Sequence, residues 1–424
     1  MIKFIFKGII RDRSRSLFPI LTVFFGVMLT VLFFCYIGGA EQNFFDSSAK
    51  FDTGHVKITS RAYAENADQM PNDLAYMGVA ELIQDLKRDF PNYIWTPRIR
   101  FGGLFDVPDD LGETSSQGPV FGLAVDLLSS ESKEKEILNL EVAVVRGRLP
   151  EKPGEILLSD DFALKLEIQP GQTATVISST MYGSMATANF TVVGTVRFGI
   201  TMMDRGAMIA DISDIQTALD MEDTSGEILG FNNDFVYSEE ETDAIAAQFN
   251  SKYTVVEDEF SPVMKTLHSH EGLAEILAMV QSYFGVFVFI FILVMSIVLW
   301  NAGLIGSLRR YGEIGVRLAI GEHKGHLYRS LIFESMMIGC IGTVLGTAVG
   351  LALSYWMQTK GINIGSMMQN SSMMLNEVLR AKVTAASFVI GFIPGLLATF
   401  LGTAISGIGI YKRQTSQLMK ELEV

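Results

Sequence analysis

The chain has 424 residues, 49% of them hydrophobic and 19% charged, with a formal net charge of −14. That charge excludes a phosphate-tracking nucleic-acid binder, which needs a basic face. A mean hydropathy of +0.30 is too high for a soluble acidic enzyme. The charge is also unevenly placed. Residues 41–277 hold 40 of the 47 acids and 17 of the 33 bases, a balance of −23, which leaves +9 for the rest. An acidic block between basic, apolar flanks is a membrane-protein layout. The two cysteines, Cys35 and Cys340, lie in apolar runs, so no disulfide framework is built.

In chain order, residues 1–16 alternate Ile2, Phe4, Ile5, Phe6, Ile9 and Ile10 with Lys3, Lys7 and Arg11, as an amphipathic helix on anionic lipid does. Residues 17–40 then run without a charge, long enough to cross about 30 Å of hydrocarbon. The competing reading is a cleaved signal peptide. Against it, the run is about twice a typical apolar signal region and no A-x-A site follows. Three further spans are expected at 277–305, 331–356 and 385–411. The basic groups Lys3–Arg15, Arg309–Arg329 and Lys412–Lys420 all fall on one side of a four-span arrangement. The positive-inside rule makes that side cytoplasmic, with both termini there. Segment 357–384 is a short outer loop, and 412–424 a tail.

Residues 41–276 are long enough for their own core, expected as two subdomains. Strands are expected at 55–59, 93–99, 154–159, 173–178, 189–198, 206–212 and 234–238. Val79, Leu82, Ile83 and Leu86 mark a helix at 3.6-residue spacing. Two more helices are expected, one at 159–168 capped by Ser159 and one at 213–221 capped by Ser213. Residues 109–119 and 129–136 read as loops or a subdomain boundary. Residues 41–51 and 263–279 are expected to extend the first and second spans as helical stalks. The fold class is an α-helical membrane protein with four transmembrane helices plus a large α+β extracytoplasmic domain inserted between helices 1 and 2.

No catalytic constellation emerges. His268 and His270 have metal-ligand spacing without a third ligand, and Glu239–Glu241 and Glu257–Glu259 read as solvated faces. Met367, Met368, Met373 and Met374 invite soft-metal binding, but flexible apolar packing is the commoner use of such side chains. Gly342, Gly346 and Gly350 form a small-residue stripe in the third span that lets helices approach closely. Either an intramolecular contact or a dimer seam satisfies it. The segment between spans two and three, 306–330, joins apolar Ile314, Val316, Leu318 and Ile320 to Arg309, Arg310, Arg317 and Lys324. Gly315 and Gly321 break the backbone there. A short amphipathic helix of this kind suits docking on a cytosolic partner.

The string Glu313, Ile314, Gly315, Val316, Arg317, Leu318, Ala319, Ile320, Gly321 resembles the "REIGVR-A-GA" signature of the FtsX-like/MacB-like permease family. Segment 331–354 resembles that family's "F-L-I-E-A…G…G…G" third span, and Asn301, near the end of span two, matches a residue type usual at that place in the family. Residues 146–176 and the FTVVGTVRFG strand resemble blocks of the family's outer domain. Gly312 and Glu322 depart from it, standing where Arg and Ala are usual. Length and the lack of a fused ATPase are closer to the lipoprotein-releasing LolC/LolE permeases. The chain has no G-x-x-x-x-G-K-[ST] loop. The resemblance therefore implies no cofactor on this chain, with ATP and Mg on a separate cytosolic ABC ATPase subunit that touches 313–321. It also implies a second permease chain, identical or homologous, membrane lipid around the spans, and a periplasmic or outer-membrane acceptor. The expected function is extraction or expulsion of an envelope substrate such as a lipoprotein. The alternatives are a non-transporting FtsX-type activator of a cell-wall hydrolase and a membrane receptor. The short ends argue against a receptor, since they leave no room for a signalling domain.

Overall fold

Unbroken apolar runs in this sequence become long helices, and alternating ones become strands. The computed structural model describes residues 13–408 except 110, 236, 256–257, 270–272, 309–310 and 364–377. The side chains of 13–16, 68, 273–274, 276–277, 306–308, 311–313, 362–363 and 378–379 are likewise outside the description. Most of the expected N-terminal amphipathic helix, the tail, His270 and the four loop methionines therefore lie outside the described residues. The chain divides into two units, one of which contains Phe44–Leu277.

Helix α1 spans Arg13–Ser48 and passes into one π turn, Ala49–Thr53, closed by Gly54 at φ +62°. The sheet follows: β1 (Val56–Ser60), α2 (Val79–Asp89), β2 (Tyr93–Pro108), β3 (Thr114–Val125), β4 (Val144–Gly147) and β5 (Glu155–Ser159). Then come α3 (Asp160–Lys165), β6 (Thr173–Ser179), β7 (Met185–Val196), β8 (Ala207–Asp211), α4 (Ile212–Ala218), β9 (Glu227–Asn232), α5 (Glu239–Tyr253) and β10 (Pro262–Thr266). Strand order is β10–β1–β9–β2–β3–β8–β5–β7–β4, with β6 pairing both β2 and β7. Pairing from β2 through β3, β8, β5, β7 and β6 back to β2 therefore closes a ring of six strands. Alternate residues of these strands, including Phe101, Phe105, Ile156, Val176, Phe190 and Met208, form one buried cluster. The other four-strand stretch, β10–β1–β9–β2, is covered on one face by α2 and α5 through Leu82, Leu86, Phe249, Trp95 and Ile58.

Four sequence expectations need correction. Of the expected break at 109–119, residues 114–119 belong instead to β3, because TSSQG lies on an exposed hairpin arm where polar side chains cost nothing. Residues 234–238 form no strand among those described, since Phe235 sits at φ +56° in a turn after β9. The expected second stalk over 263–279 begins as strand β10. Pro262 opens it at the sheet edge, where a missing N–H is tolerated, and a 3-10 turn, Leu267–Ser269, follows; the described part of the next α-helix runs from Leu273. Helix α4 is capped by Asp211, whose carboxylate accepts from Ser213 N at 3.0 Å, so Ser213 is a helical residue. Ser159 does cap α3, accepting from Phe162 N at 3.2 Å.

Four helices among the described residues are long and apolar enough to cross a membrane: Leu17–Thr53, Ala278–Ile305, Lys324–Lys360 and Ala385–Gly407. The second belongs to α6 (Leu273–Leu308), which is followed by α7 (Tyr311–Ala319) and α8 (Lys324–Lys360). The fourth is broken. A 3-10 turn (Ala385–Phe388) and a π stretch (Ile393–Ala398) containing Pro394 precede α9 (Thr399–Gly407). Proline removes one ladder donor there, a known cause of such irregularity.

At the sheet end of α1, Arg98 of β2 has no solvent exposure. Its guanidinium donates to both oxygens of Glu134, each at 2.8 Å, and through Nη1 to the Lys50 carbonyl at 2.7 Å. Thr96 adds a third bond to Glu134 at 2.6 Å. Arg100 donates to the Phe51 carbonyl at 2.9 Å and to Asp52 at 2.7 Å. Two cations on the carbonyl end of a helix also complement its dipole. Removing one partner of a buried pair strands the other charge. Arg98→Met is therefore expected to destabilise this unit by about 3–5 kcal/mol, with Arg98→Met/Glu134→Met recovering more than half of that loss. Pulse proteolysis of the full chain in detergent with added urea measures both.

Candidate functional site

The segment between the second and third spans is a helical hairpin. Helix α7 ends in a Schellman motif in which Gly321, at φ +100°, bonds Leu318 O and Glu322 N bonds Arg317 O, both at 3.1 Å. A side chain at 321 would be strained, which accounts for glycine there. Ile314 and Leu318 turn inward onto Leu327 and Leu331 of α8. Val316 and Ile320, one turn apart, point out and are 42% and 81% exposed. The four apolar residues expected to act together thus divide into an anchoring pair and a presented pair. Gly315 is buried and Ala319 exposed, and the Glu313 side chain lies outside the described residues.

Arg317 does not stand alone. Its Nε and Nη2 donate to the two oxygens of Glu322 at 2.8 and 3.2 Å, and His326 Nδ1 lies 2.8 Å from Glu322 Oε1. The His326 hydrogen bond, with the Arg317 charge behind it, holds the Glu322 carboxyl below the usual carboxylate range. Sequence reasoning treated Glu322 only as a departure. The Schellman turn, which brings residues 317 and 322 together, was the missing signal.

Within the helical unit, the glycine stripe of α8 faces α1. A Cβ at Gly342 would lie 2.8 Å from Val23 Cβ, at Gly346 2.6 Å from the Phe24 carbonyl, and at Gly350 3.0 Å from Val31 Cβ. Of the two partners left open by the sequence, the one in contact here is the same chain's first helix. Gly339 turns instead toward the fourth span, where a Cβ would lie 2.8 Å from Thr399 Oγ1. Val23, Val27, Val31 and Cys35 supply the buried stripe of α1.

Near the end of α1, Phe45 lies against His268, with ring centroids 5.7 Å apart, and His268 Nδ1 is 2.7 Å from the Tyr237 hydroxyl. Tyr237 in turn meets His55 edge-on at 5.7 Å. Of the His268–His270 pair, His270 lies outside the described residues, and His268 has an aromatic and hydroxyl environment. His55 is 3% exposed and its Nδ1 accepts from Asn232 N at 3.2 Å. Burial pushes its pKa down to about 4, against the opposing pull of Asp234.

Family models match two stretches of the chain: the MacB-like periplasmic core domain over residues 16–255 and the FtsX-like permease C-terminal over residues 285–415. The lipoprotein-releasing system transmembrane protein LolC of Xylella fastidiosa strain Temecula1 is 24% identical over 211 residues, 48% of this chain and 49% of that protein. The macrolide export ATP-binding/permease protein MacB of Rhodopseudomonas palustris is 30% identical over 105 residues, 24% of this chain and 15% of that protein. The chain thus spans about half the length of LolC, and less of MacB. The periplasmic region of MacB from Actinobacillus actinomycetemcomitans matches 53% of this chain and 92% of that structure, at 12% identity and TM-score 0.34.

Two outcomes follow from this geometry. Gly346→Val is expected to cost about 1–3 kcal/mol through overpacking against α1. Gly285→Val, where no atom lies within 4 Å, leaves the melting temperature of the full chain unchanged in the same detergent. His55 stays neutral in the folded state, while the unfolded chain takes up its proton from about pH 6.5 downward. Its stabilising contribution is therefore complete above that pH and shrinks as the pH falls toward 4. At pH 5 the loss is about 2 kcal/mol. In pulse proteolysis from pH 7 to 5, His55→Asn flattens the decline by that amount.

Proposed function

The chain belongs to the FtsX/MacB/LolC-type family of ABC-transporter permeases, and from that premise we propose a specific role for it. It is a permease subunit in the inner membrane that converts ATP hydrolysis on a separate cytosolic subunit into movement of its outer domain. That movement extracts or expels an envelope substrate. ATP and Mg are held by the partner, and the chain works beside a second permease copy, identical or homologous. The name of LolC speaks of lipoprotein release, and lipoprotein is the cargo class we propose here, handed to a periplasmic or outer-membrane acceptor. Both termini and the α7 hairpin are cytoplasmic, as the three basic clusters demand.

The main support for ATPase docking is the exposed end of that hairpin. Val316 and Ile320 are offered to solvent on a helix whose other face is pinned to α8 by Ile314 and Leu318. A helix so anchored transfers a displacement of its tip into α8 instead of flexing. The glycine seam then passes it to α1, because closely packed helices shift as bodies and deform little. In this reading the movement passes along the chain from α1 into the turn that follows it, whose Lys50, Phe51 and Asp52 are held by Arg98 and Arg100 within the sheet unit. Nucleotide-driven closure of the partner is the biasing event.

The tagged chain, purified from native membranes in mild detergent, is expected to bring down a soluble P-loop ATPase. Glu313→Lys and Arg317→Glu should weaken that recovery. Ile320→Asp should lower it about tenfold or more, the loss of one buried aliphatic side chain. If no ATPase appears even after crosslinking, docking at the hairpin is wrong and a receptor role becomes the better account.

A further inference from the structure

Arg317 is exposed at the presented end of the hairpin, where a free guanidinium would most simply pair with an acidic residue of a docking partner. It is already engaged. Both of its donor positions facing Glu322 are used, in a two-point geometry that fixes the plane of the guanidinium. The Schellman bond between Arg317 O and Glu322 N holds the two backbones together as well. His326, one turn into α8, takes the same carboxylate from the other side. Glu322 is the better shielded member, with its side chain 26% exposed against 47% and 57% for Arg317 and His326. The trio therefore ties the end of α7 to the start of α8 across the turn, and within it the charges of Arg317 and Glu322 cancel. Among the described residues, the large apolar side chains that this segment leaves exposed are Val316 and Ile320.

We propose that Glu322 is a specificity-determining and positioning residue of the docking surface. It binds Arg317 within the chain, so that the hairpin is recognised through Val316 and Ile320 by an apolar socket on the ATPase, with no acidic residue of the partner reading Arg317. The inference rests on the ATPase-docking role proposed above. The physical ground is a competition. A partner carboxylate aimed at Arg317 would have to displace a preformed two-point pair and then sit beside the Glu322 charge, and like charges brought together at an interface cost several kcal/mol. An apolar socket meets neither cost and gains the burial of two aliphatic side chains. The same bonds set the direction of Ile320, which lies between the two halves of the trio in sequence.

A charge exchange separates an internal pair from a pair with the partner. The full-length permease in nanodiscs is titrated with the P-loop ATPase recovered in the preceding experiment. The forms compared are the parent, Arg317→Glu, Glu322→Arg and the double exchange Arg317→Glu/Glu322→Arg. Each single variant places like charges across the turn and is expected to weaken binding about tenfold. The double exchange restores an opposite-charge pair and is expected to return the Kd to within about threefold of the parent, since the partner does not read the sign at 317. Hydrogen exchange at the amides of 320–323 should rise in the singles and fall back in the double variant, and a monodisperse elution profile establishes that each variant is folded. A double exchange that binds as poorly as Arg317→Glu would mean that the partner carries an acid for Arg317, which overturns the proposal. Single variants that bind like the parent overturn it too. If the parent itself captures no ATPase, the docking role fails and takes this inference with it. Capture by the parent with either of the other two results removes only the role of Glu322.

Discussion

A guanidinium with no access to water is affordable only when its nitrogens find partners, and each of the three nitrogens of Arg98 does. Its three bonds, two to Glu134 and one to the Lys50 carbonyl, come from parts of the chain that are far apart in sequence. The carboxylate is itself satisfied by Thr96. Buried pairs of this kind add little net stability but strongly penalise any arrangement in which the partners separate. The turn after α1, β2 and the short helix bearing Glu134 are therefore held in one geometry. Arg100 repeats the contact two residues on, where strand periodicity returns side chains to the same face. Beside these bonds, Phe45, His268, Tyr237 and His55 form a continuous run of ring contacts and a hydrogen bond within the sheet unit.

The helical unit solves a different problem with different means. Between membrane helices there is no hydrophobic drive, because lipid tails are as apolar as leucine. Association depends instead on close van der Waals contact. Glycines at four-residue spacing on α8 let its backbone approach the valines of α1, and Gly391 and Gly395 do the same for the broken fourth span against Val27. The second span has no such stripe. Its side chains, Phe287, Phe289, Ile290 and Leu293 among them, are largely exposed within this chain, which suits a helix whose neighbours are lipid or another copy.

These two constraints bear on function together. The movement proposed for this permease needs elements that are stiff along their length and joints that do not slip. Long α-helices supply the first, and the glycine seam, the Schellman hairpin and the Arg98–Arg100 contacts supply the second. In the proposed role these parts transmit movement, and ATP hydrolysis falls to the partner.

Local pattern carried much of this. The apolar runs announced the spans, the spacing of Val79, Leu82 and Leu86 announced α2, and Ser159 announced the start of α3, because each depends on residues within a turn or two of one another. The motif at 313–321 marked the hairpin for the same reason. Expectations failed where a distant partner overrode local preference. The polar strand β3 exists because β2 pairs with it, Pro262 begins a strand because β1 offers an edge, and Asp211 rather than Ser213 caps α4. The sequence by itself thus determined the membrane class, the four apolar helices and the position of the acidic sheet unit between the first two, all of which follow from composition and period. Only the tertiary structure decided that Arg98 meets Glu134, that the glycine stripe meets α1, and that Ile314 and Leu318 turn in while Val316 and Ile320 turn out. Those are pairings between segments, and no property of one segment specifies which other segment the closed chain will bring to it.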